Sequence, residues 1–591
     1  MAGNRPADWS DQSYYLRMRD GVRLAVSLYF PKHAVPAKPA PILLVQTRYG
    51  RAVARRSGEK RSLDPWLAAG YVVASVDVRG STASFGARTS ELSPAEQRDM
   101  EEIVHHLALE PWSSGQVVAT GVSYTGNTAD MATTRPAPAL VAAVPRQTDF
   151  DFWELFWPGG IHNRFMFRDW VDGVYEIDFG RPRTRVGALV TAGQEGLDCR
   201  RRPEDCLRLF PTMQPADEDP TFALLAEALN GRERETRHWT SDDYADAPFR
   251  DDAGLNGCTL FESSAGAHLG ALRRENKPVQ YWGSWVDTIT GEGSLNRHRS
   301  APDLPSVVFI TANNHGGDLR ADPFLPERLD PVPSLAEQHC LHIEFANEVI
   351  AGRLPQRRIH YYVLGAGVMR ETPVWPPQGI ELQRYALDGE GQLTRGDPAT
   401  GLDSYEVDFT ATTGRESRWC WFARPTYGDR READRKVLAY DSAPMAEDME
   451  LAGWPVLTLR MRAKTGDPAI FAYLEDVAPD GRVTYMTEGQ LRAINRKLAD
   501  PARLPYDQGP APHSFSRADA LPVVPGEDFS IKLKLYATAA LIRKEHRIRL
   551  AIAGADCDMF VRLSNGEAER FDIFRGGAEP SAVALPLRPW R

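Results

Sequence analysis

Little in this chain of 591 residues is built on cysteine: the six present (Cys199, Cys206, Cys258, Cys340, Cys420 and Cys557) are irregularly spaced and form no CxxC pair. That argues against a disulfide framework and a zinc ribbon, and buried thiols are expected instead. No block of Lys and Arg accompanies the formal net charge of -10, so an electrostatic footprint for nucleic acid or an anionic membrane is missing. Long apolar runs are missing too. No segment approaches the roughly 18 uninterrupted apolar residues of a membrane span, and the opening stretch MAGNRPADWSDQSYYLRMRDG carries no apolar signal core. A soluble, cytoplasmic protein is expected. No GxxxxGK(S/T) phosphate loop occurs, and the GEG at Gly291–Gly293 is too short to replace one. His105 and His106 are consecutive on a predicted helix and point in different directions, which disfavours a shared metal ion. No cofactor or metal is expected.

What is present is a string of short apolar runs. Tyr14 to Phe30 alternates around Asp20-Gly21 as a hairpin would. Ile42–Val45, Tyr71–Val76, Val117–Thr120, Leu140–Val144, Val279–Tyr281 and Val307–Ile310 follow, separated by helix-sized intervals such as the amphipathic SPAEQRDMEEIVHHLALEPW. Runs of this length and spacing predict buried parallel strands in a doubly wound α/β sheet. Between Thr148 and Phe249 the strand signal stops, and aromatic then charged helix-compatible sequence predicts an inserted helical cap. After about Arg353, segments such as RRIHYYVLG, WPVLTLRMRA and SIKLKLYATAALI alternate at period two, with Leu457, Leu459 and Met461 facing one way and Thr458, Arg460 and Arg462 the other. That pattern predicts a β-sandwich with one buried face per sheet. The expected division is 1–147 and 250–353 for the α/β core, 148–249 for the cap and 354–591 for the sandwich.

The chemistry centres on VVATGVSYTGNTAD. A strand that turns sharply into a helix at Gly121-Val122-Ser123-Tyr124-Thr125-Gly126 would push the Ser123 side chain out of the sheet as a nucleophile elbow does, although Gly126 sits three residues after the serine instead of the usual two. An ordinary strand-to-helix turn fits the same local grammar. A serine nucleophile needs a base, the base an orienting carboxylate, and the oxyanion hydrogen-bond donors. His315, in VVFITANNHGGD, is the one histidine directly after a predicted sheet strand downstream of Ser123. Asp287, in VQYWGSWVDTITGEG, follows another such strand. All three groups thus fall at the sheet edge where open α/β folds place ligands, in the order serine, acid, histidine. Asp287 also suits a helix N-cap before TITGEG.

GVSYTG, WVD and a histidine 28 residues after that aspartate resemble the triad segments of the hydrolase family that contains bacterial cocaine esterase, α-amino-acid ester hydrolases, glutaryl acylases and X-prolyl dipeptidyl aminopeptidases. LLVQTRYGR, VASVDVRGSTASFG, EPWSSGQV and the C-terminal ELAGWPVLTLRMRAK and FAYLEDVAPDGRVTYMTEGQLR extend the resemblance over nearly the whole chain. It implies an α/β-hydrolase core with an inserted helical cap, followed by an all-β jelly-roll domain of galactose-binding type. It also implies Ser123 as nucleophile, His315 as general base and Asp287 as its orienter, with the Tyr49 hydroxyl and the Tyr124 N–H forming the oxyanion hole. Tyr49 also suits a half-buried aromatic with its hydroxyl in water. Ser284-Trp285-Val286-Asp287 and Ala312-Asn313-Asn314 depart from the pattern of relatives, and GRESRWCWFARPTYG lacks a familiar one, so substrate preference does not transfer. Trp153, Trp157, Phe165, Trp170 and Trp285 are candidates for the walls of the pocket, and a helical cap equally needs such residues for its own core.

The function expected is cleavage of a small-molecule ester, or amide, through an acyl-enzyme on Ser123. The absence of a long N-terminal extension and of a recognisable carboxylate clamp favours ester over peptide. Asp149, Asp151, Glu154 and Asp172 keep open an aminopeptidase or amino-acid ester hydrolase. Acyl transfer with the same triad stays open as well, as does a non-catalytic ligand-binding protein. Partners are expected to be the small substrate, with a homodimer open, and neither nucleic acid nor membrane.

Overall fold

Asp20 and Gly21 close the first hairpin, where Gly21 takes a φ of 85°. β1 (Trp9–Arg17) pairs antiparallel with β2 (Arg23–Pro31), Leu16 opposite Leu24. This computed structural model describes residues 9–32, 35–52, 60–179, 213–235, 247–254, 257–421 and 423–591. The apolar runs become β3 (Ala40–Thr47), β4 (Val72–Asp77), β5 (Ser113–Val122), β6 (Leu140–Arg146), β7 (Val279–Ser284) and β8 (Ser306–Thr311). Every residue of β4 and β7 is buried, as strands covered on both faces by helices must be. The strand order is β1-β2-β4-β3-β5-β6-β7-β8, and β3 to β8 run parallel. One face carries Val73, Val118, Val144 and Phe309 against Trp66, Leu67, Phe345 and Ala346 of the helices Lys60–Ala68 and Leu335–Ile350. The carboxyl ends of β3, β5, β6, β7 and β8 therefore deliver Tyr49, Ser123, Asp149, Asp287 and His315 to one edge.

The sheet does not stop at residue 353. β9 (Arg358–Val363) lies parallel to β8, and β10 (Val368–Thr372) closes the edge antiparallel to it. RRIHYYVLG and the residues after it thus pair into the α/β sheet. The pattern misleads because β9 lies next to the sheet's last strand: Ile359 and Tyr361 are buried while Arg358 and His360 are only half-buried. That is the alternation of a one-faced strand.

The described cap is helical, with Phe152–Phe156, Asp172–Phe179 and Ala223–Glu235 and a π-helical turn at Met166–Val171; 180–212 and 236–246 of the expected cap lie outside the described residues. No helix among the described residues is long and apolar enough to cross a membrane. Among the described residues, the C-terminal domain is a 13-stranded sheet of mainly antiparallel pairs. Leu457, Leu459 and Met461 are fully buried there and Thr458, Arg460 and Arg462 are not. Ala469–Val477 is buried at every position and Val483–Arg492 at nearly every one, and the cap packs against the second of these strands. At Gly159, with a φ of 61°, a Cβ would come 2.0 Å from the Gln490 carbonyl oxygen. Only glycine lets the two backbones approach so closely.

The α/β core and the C-terminal domain share one continuous apolar cluster, which includes Trp285, Trp375 and Trp454. Glu292, on the helix Thr290–Ser300, ties them with charge. Its carboxylate accepts from Trp454 Nε1 at 2.9 Å, from the Ala537 N–H at 3.2 Å and from Lys534 Nζ, and Glu292 is 2% exposed. Removing one partner of a buried pair strands the other's charge. Glu292→Ala is therefore expected to cost about 3–5 kcal/mol, read as a lower urea midpoint for the first unfolding transition.

Candidate active site

Ser123 stands between β5 and the helix Tyr124–Ala132 with φ 61° and ψ -131°. A non-glycine residue enters that region only under constraint. The constraint is local packing. The Ser123 N–H donates to the Arg146 carbonyl at 3.0 Å, and the strand crosses the helix so closely that a Cβ on Gly121 would lie 2.3 Å from Thr125 Oγ1, and one on Gly126 2.7 Å from the Arg146 carbonyl oxygen. The glycine three residues after the serine is thus demanded by β6 and not by the turn itself. Tyr124 opens the helix, so its N–H has no carbonyl within the helix to bond. Its side chain is anchored underneath: the hydroxyl donates to Glu96 and accepts from Arg88 Nη1 at 3.1 Å.

His315 and Asp287 meet across two loops held in register by Ser284 Oγ, which donates to the Asn313 carbonyl at 2.7 Å. His315 Nδ1 lies 2.9 and 3.0 Å from the two Asp287 oxygens. Asp287 is 1% exposed. It does not cap the next helix, whose N-cap is Ile289. Burial alone would lower the His315 pKa, but the charge and hydrogen bond of Asp287, with a further contribution from Asp149, outweigh it and hold the pKa above the ordinary value. His315 Nε2 is buried and has no hydrogen-bond partner. The Ser123 hydroxyl makes no hydrogen bond to it, although both line the same cavity. Tyr49 accepts from Trp170 Nε1 at 3.2 Å, and burial pushes its phenol pKa up, so that it stays a proton donor.

Ser123, Tyr124 and His315 open on a small cavity walled by Phe152, Leu155, Met166, Trp170 and Trp421, with Asn127, Asp149 and Thr288 as its polar residues. Asp149 holds its place through an N–H bond to Asn127 Oδ1 at 3.0 Å, while its own Oδ1 has no partner. Burial, with the Asp287 charge adding to it, pushes the Asp149 pKa up to about 7. Among the described residues no cluster of His, Cys, Asp and Glu could hold a metal ion.

Residues 20–316 match the X-Pro dipeptidyl-peptidase (S15 family) domain, and residues 353–577 match the X-Pro dipeptidyl-peptidase C-terminal non-catalytic domain. A Mycobacterium bovis protein named as a serine esterase is 32% identical over 97% of this chain and 95% of its own length. The chain belongs to the S15 family. This S15 protein is a serine hydrolase with an α/β-hydrolase domain followed by an all-β domain, as the resemblance implied. Cocaine esterase of Rhodococcus is 24% identical over 96% of the chain and 97% of its own length. An aminopeptidase from a marine sediment Thaumarchaeota archaeon superposes with a TM-score of 0.70 at 19% identity, covering 99% of this chain and 98% of that one.

Of the aromatics expected to wall the pocket of this S15 protein, Trp170 does so. Trp153 instead packs on Phe515 and donates to the Ala247 carbonyl at 3.3 Å. Trp157 packs on His162 and Phe167. Phe165 packs against the main core and donates its backbone N–H to Met559. Trp285 turns away to Trp375 and donates to the Tyr362 carbonyl at 2.7 Å. These four serve the core and the domain interfaces. Asp151 and Glu154 are also drawn off: Asp151 bonds Arg250 and Tyr506, both at 2.8 Å, and the same Tyr506 hydroxyl lies 3.2 Å from Glu154. Asp172 begins its helix and does not line the cavity. Sequence reasoning missed Trp421, whose ring stands edge-on to His315 at 5.9 Å. Its one signal is its place in GRESRWCWFARPTYG, the stretch without a family pattern.

This geometry can run nucleophilic acyl chemistry only while His315 is neutral. Because its pKa is raised, the acid limb of kcat/KM should have its midpoint above about 6.5, with activity lost as the pH falls through it. A pH-stat titration of ester hydrolysis checks this, and a midpoint below the ordinary histidine value would contradict it.

Proposed function

We propose that this protein is an esterase that cleaves a small ester by acylation and deacylation of Ser123. The observation that carries the reading is a strained serine and a carboxylate-bound imidazole facing one small, mostly apolar cavity. Ser123 Oγ attacks the carbonyl carbon while His315 Nε2 takes its proton. Asp287 holds Nδ1–H and stabilises the imidazolium. The tetrahedral oxyanion takes donors from the Tyr124 N–H and the Tyr49 hydroxyl. His315 then gives its proton to the leaving alcohol, and a water activated by the same nitrogen releases the acid. Before attack, the Ser123 hydroxyl must come within hydrogen-bond reach of His315 Nε2, which has no partner. Apo sites often show such loose bonds.

Ester over peptide is supported by the names of the two relatives matched over nearly their whole length. Of the four carboxylates considered as an ammonium clamp, only Asp149 faces the cavity. Asp149 also favours the second reading, an amino-acid ester hydrolase or aminopeptidase, because its unpartnered Oδ1 could accept from a substrate ammonium. A panel of p-nitrophenyl acyl esters against aminoacyl and X-Pro anilides decides: short acyl esters should turn over fastest, and preferred X-Pro anilide cleavage would replace the reading.

Ser123→Ala should lower kcat by about 10⁶ and abolish fluorophosphonate labelling, and Asp287→Asn should cost about 10⁴. Retention of more than a few per cent of activity by Ser123→Ala would remove the serine from the mechanism. Tyr49→Phe keeps the ring and loses the donor, so kcat should drop by about 10²–10³ with KM little changed. A rise in KM at constant kcat would make Tyr49 a packing residue.

A further inference from the structure

Thr288, immediately after the aspartate that holds His315, has a φ of 39°. A β-branched residue takes that left-handed conformation only when its surroundings impose it. Here the imposing group comes from the C-terminal domain. The Thr288 N–H donates to the Arg418 carbonyl at 2.8 Å, and Arg418 Nε donates back to the Thr288 carbonyl at 2.8 Å, with Nη2 on the same oxygen. One residue 130 positions away thus grips both backbone groups of a residue adjoining Asp287 and lining the cavity.

Arg418 is itself fixed. It is 1% exposed, its N–H donates to the Tyr427 hydroxyl at 2.7 Å, and Tyr427 stacks on Tyr485 at 4.0 Å. The guanidinium lies over the Tyr536 ring at 4.6 Å. Two arms of its planar fork, Nε and Nη2, are spent on one neutral carbonyl where a carboxylate would be the usual partner. A fork of this rigidity suits holding a geometry, and misplacement by about 1 Å costs an enzyme up to about 100-fold in rate.

We propose that Arg418 is a positioning residue for catalysis: from the C-terminal domain it locks the Asp287-Thr288 turn so that the Asp287 carboxylate faces His315 Nδ1. The domain matched as non-catalytic then takes part in the reaction. The proposal rests on the reading of Asp287 as the orienter of His315.

The test is steady-state ester hydrolysis by full-length Arg418→Lys and Arg418→Met across pH. For Arg418→Met, kcat should fall about 10–100-fold with KM within about twofold. Arg418→Lys, which keeps one donor, should recover part of the loss. His315 is faced by Asp287 and by Asp149, so a loosened Asp287 should move the acid limb of kcat/KM to lower pH. Trp419→Phe is the control: it removes the neighbouring buried bond from Trp419 Nε1 to Glu488 and leaves Thr288 untouched. It should lower Tm and keep wild-type kcat and pH limb. The proposal is overturned if Arg418→Met keeps wild-type kcat and limb, or if Trp419→Phe matches its kinetic losses. Should Arg418→Met fail to fold, Arg418→Lys against Trp419→Phe decides by the same readings. Activity in Ser123→Ala would instead fell the site reading, whatever the Arg418 variants do.

Discussion

A carboxylate sealed from water must be given its hydrogen bonds by the chain around it, and Asp287, 1% exposed, is the group whose burial organises this molecule. An unpaired charge there would cost several kcal/mol. Both oxygens therefore face His315 Nδ1, and Thr290 Oγ1 lies 3.2 Å from one of them. β7 brings the aspartate to the sheet edge and the Ser284–Asn313 bond sets the histidine loop beside it. A third carboxyl group in the same space, Asp149, cannot easily share the charge, and its pKa is pushed up to about 7. The acid, the base and a neighbour of raised pKa thus follow from one buried position.

The serine side of the site rests on packing more than on charge. Gly121 and Gly126 let β5, the helix and β6 approach until no Cβ would fit, and that crowding holds Ser123 in its strained conformation. The oxyanion side adds an anchor, since Tyr124 offers its N–H above the sheet while its hydroxyl is bound to Glu96 and Arg88 below.

The strands of the α/β sheet and the placement of Ser123, Asp287 and His315 were legible because buried parallel strands must be short apolar runs and their carboxyl ends must coincide. The walls of the cavity were not. A tryptophan that lines a pocket and one that fills a core have the same sequence signature, and four of the five aromatic candidates turned out to fill the core and interfaces. Trp421 and Arg418 lay beyond local pattern for another reason: they reach the site from a different domain, and nothing in a window of sequence reports a contact across 130 positions. That β9 joins the α/β sheet was not legible, because near the sheet's edge it alternates as a sandwich strand does.

β9 and β10 also bear on the architecture as a whole. They cover the edge of β8, the strand that leads into His315. A hydrolase domain severed where its texture changes would leave β8 as a bare edge, a template for pairing with other chains. A stretch that matches the C-terminal domain thus completes the hydrolase sheet, and neither domain is whole without the other.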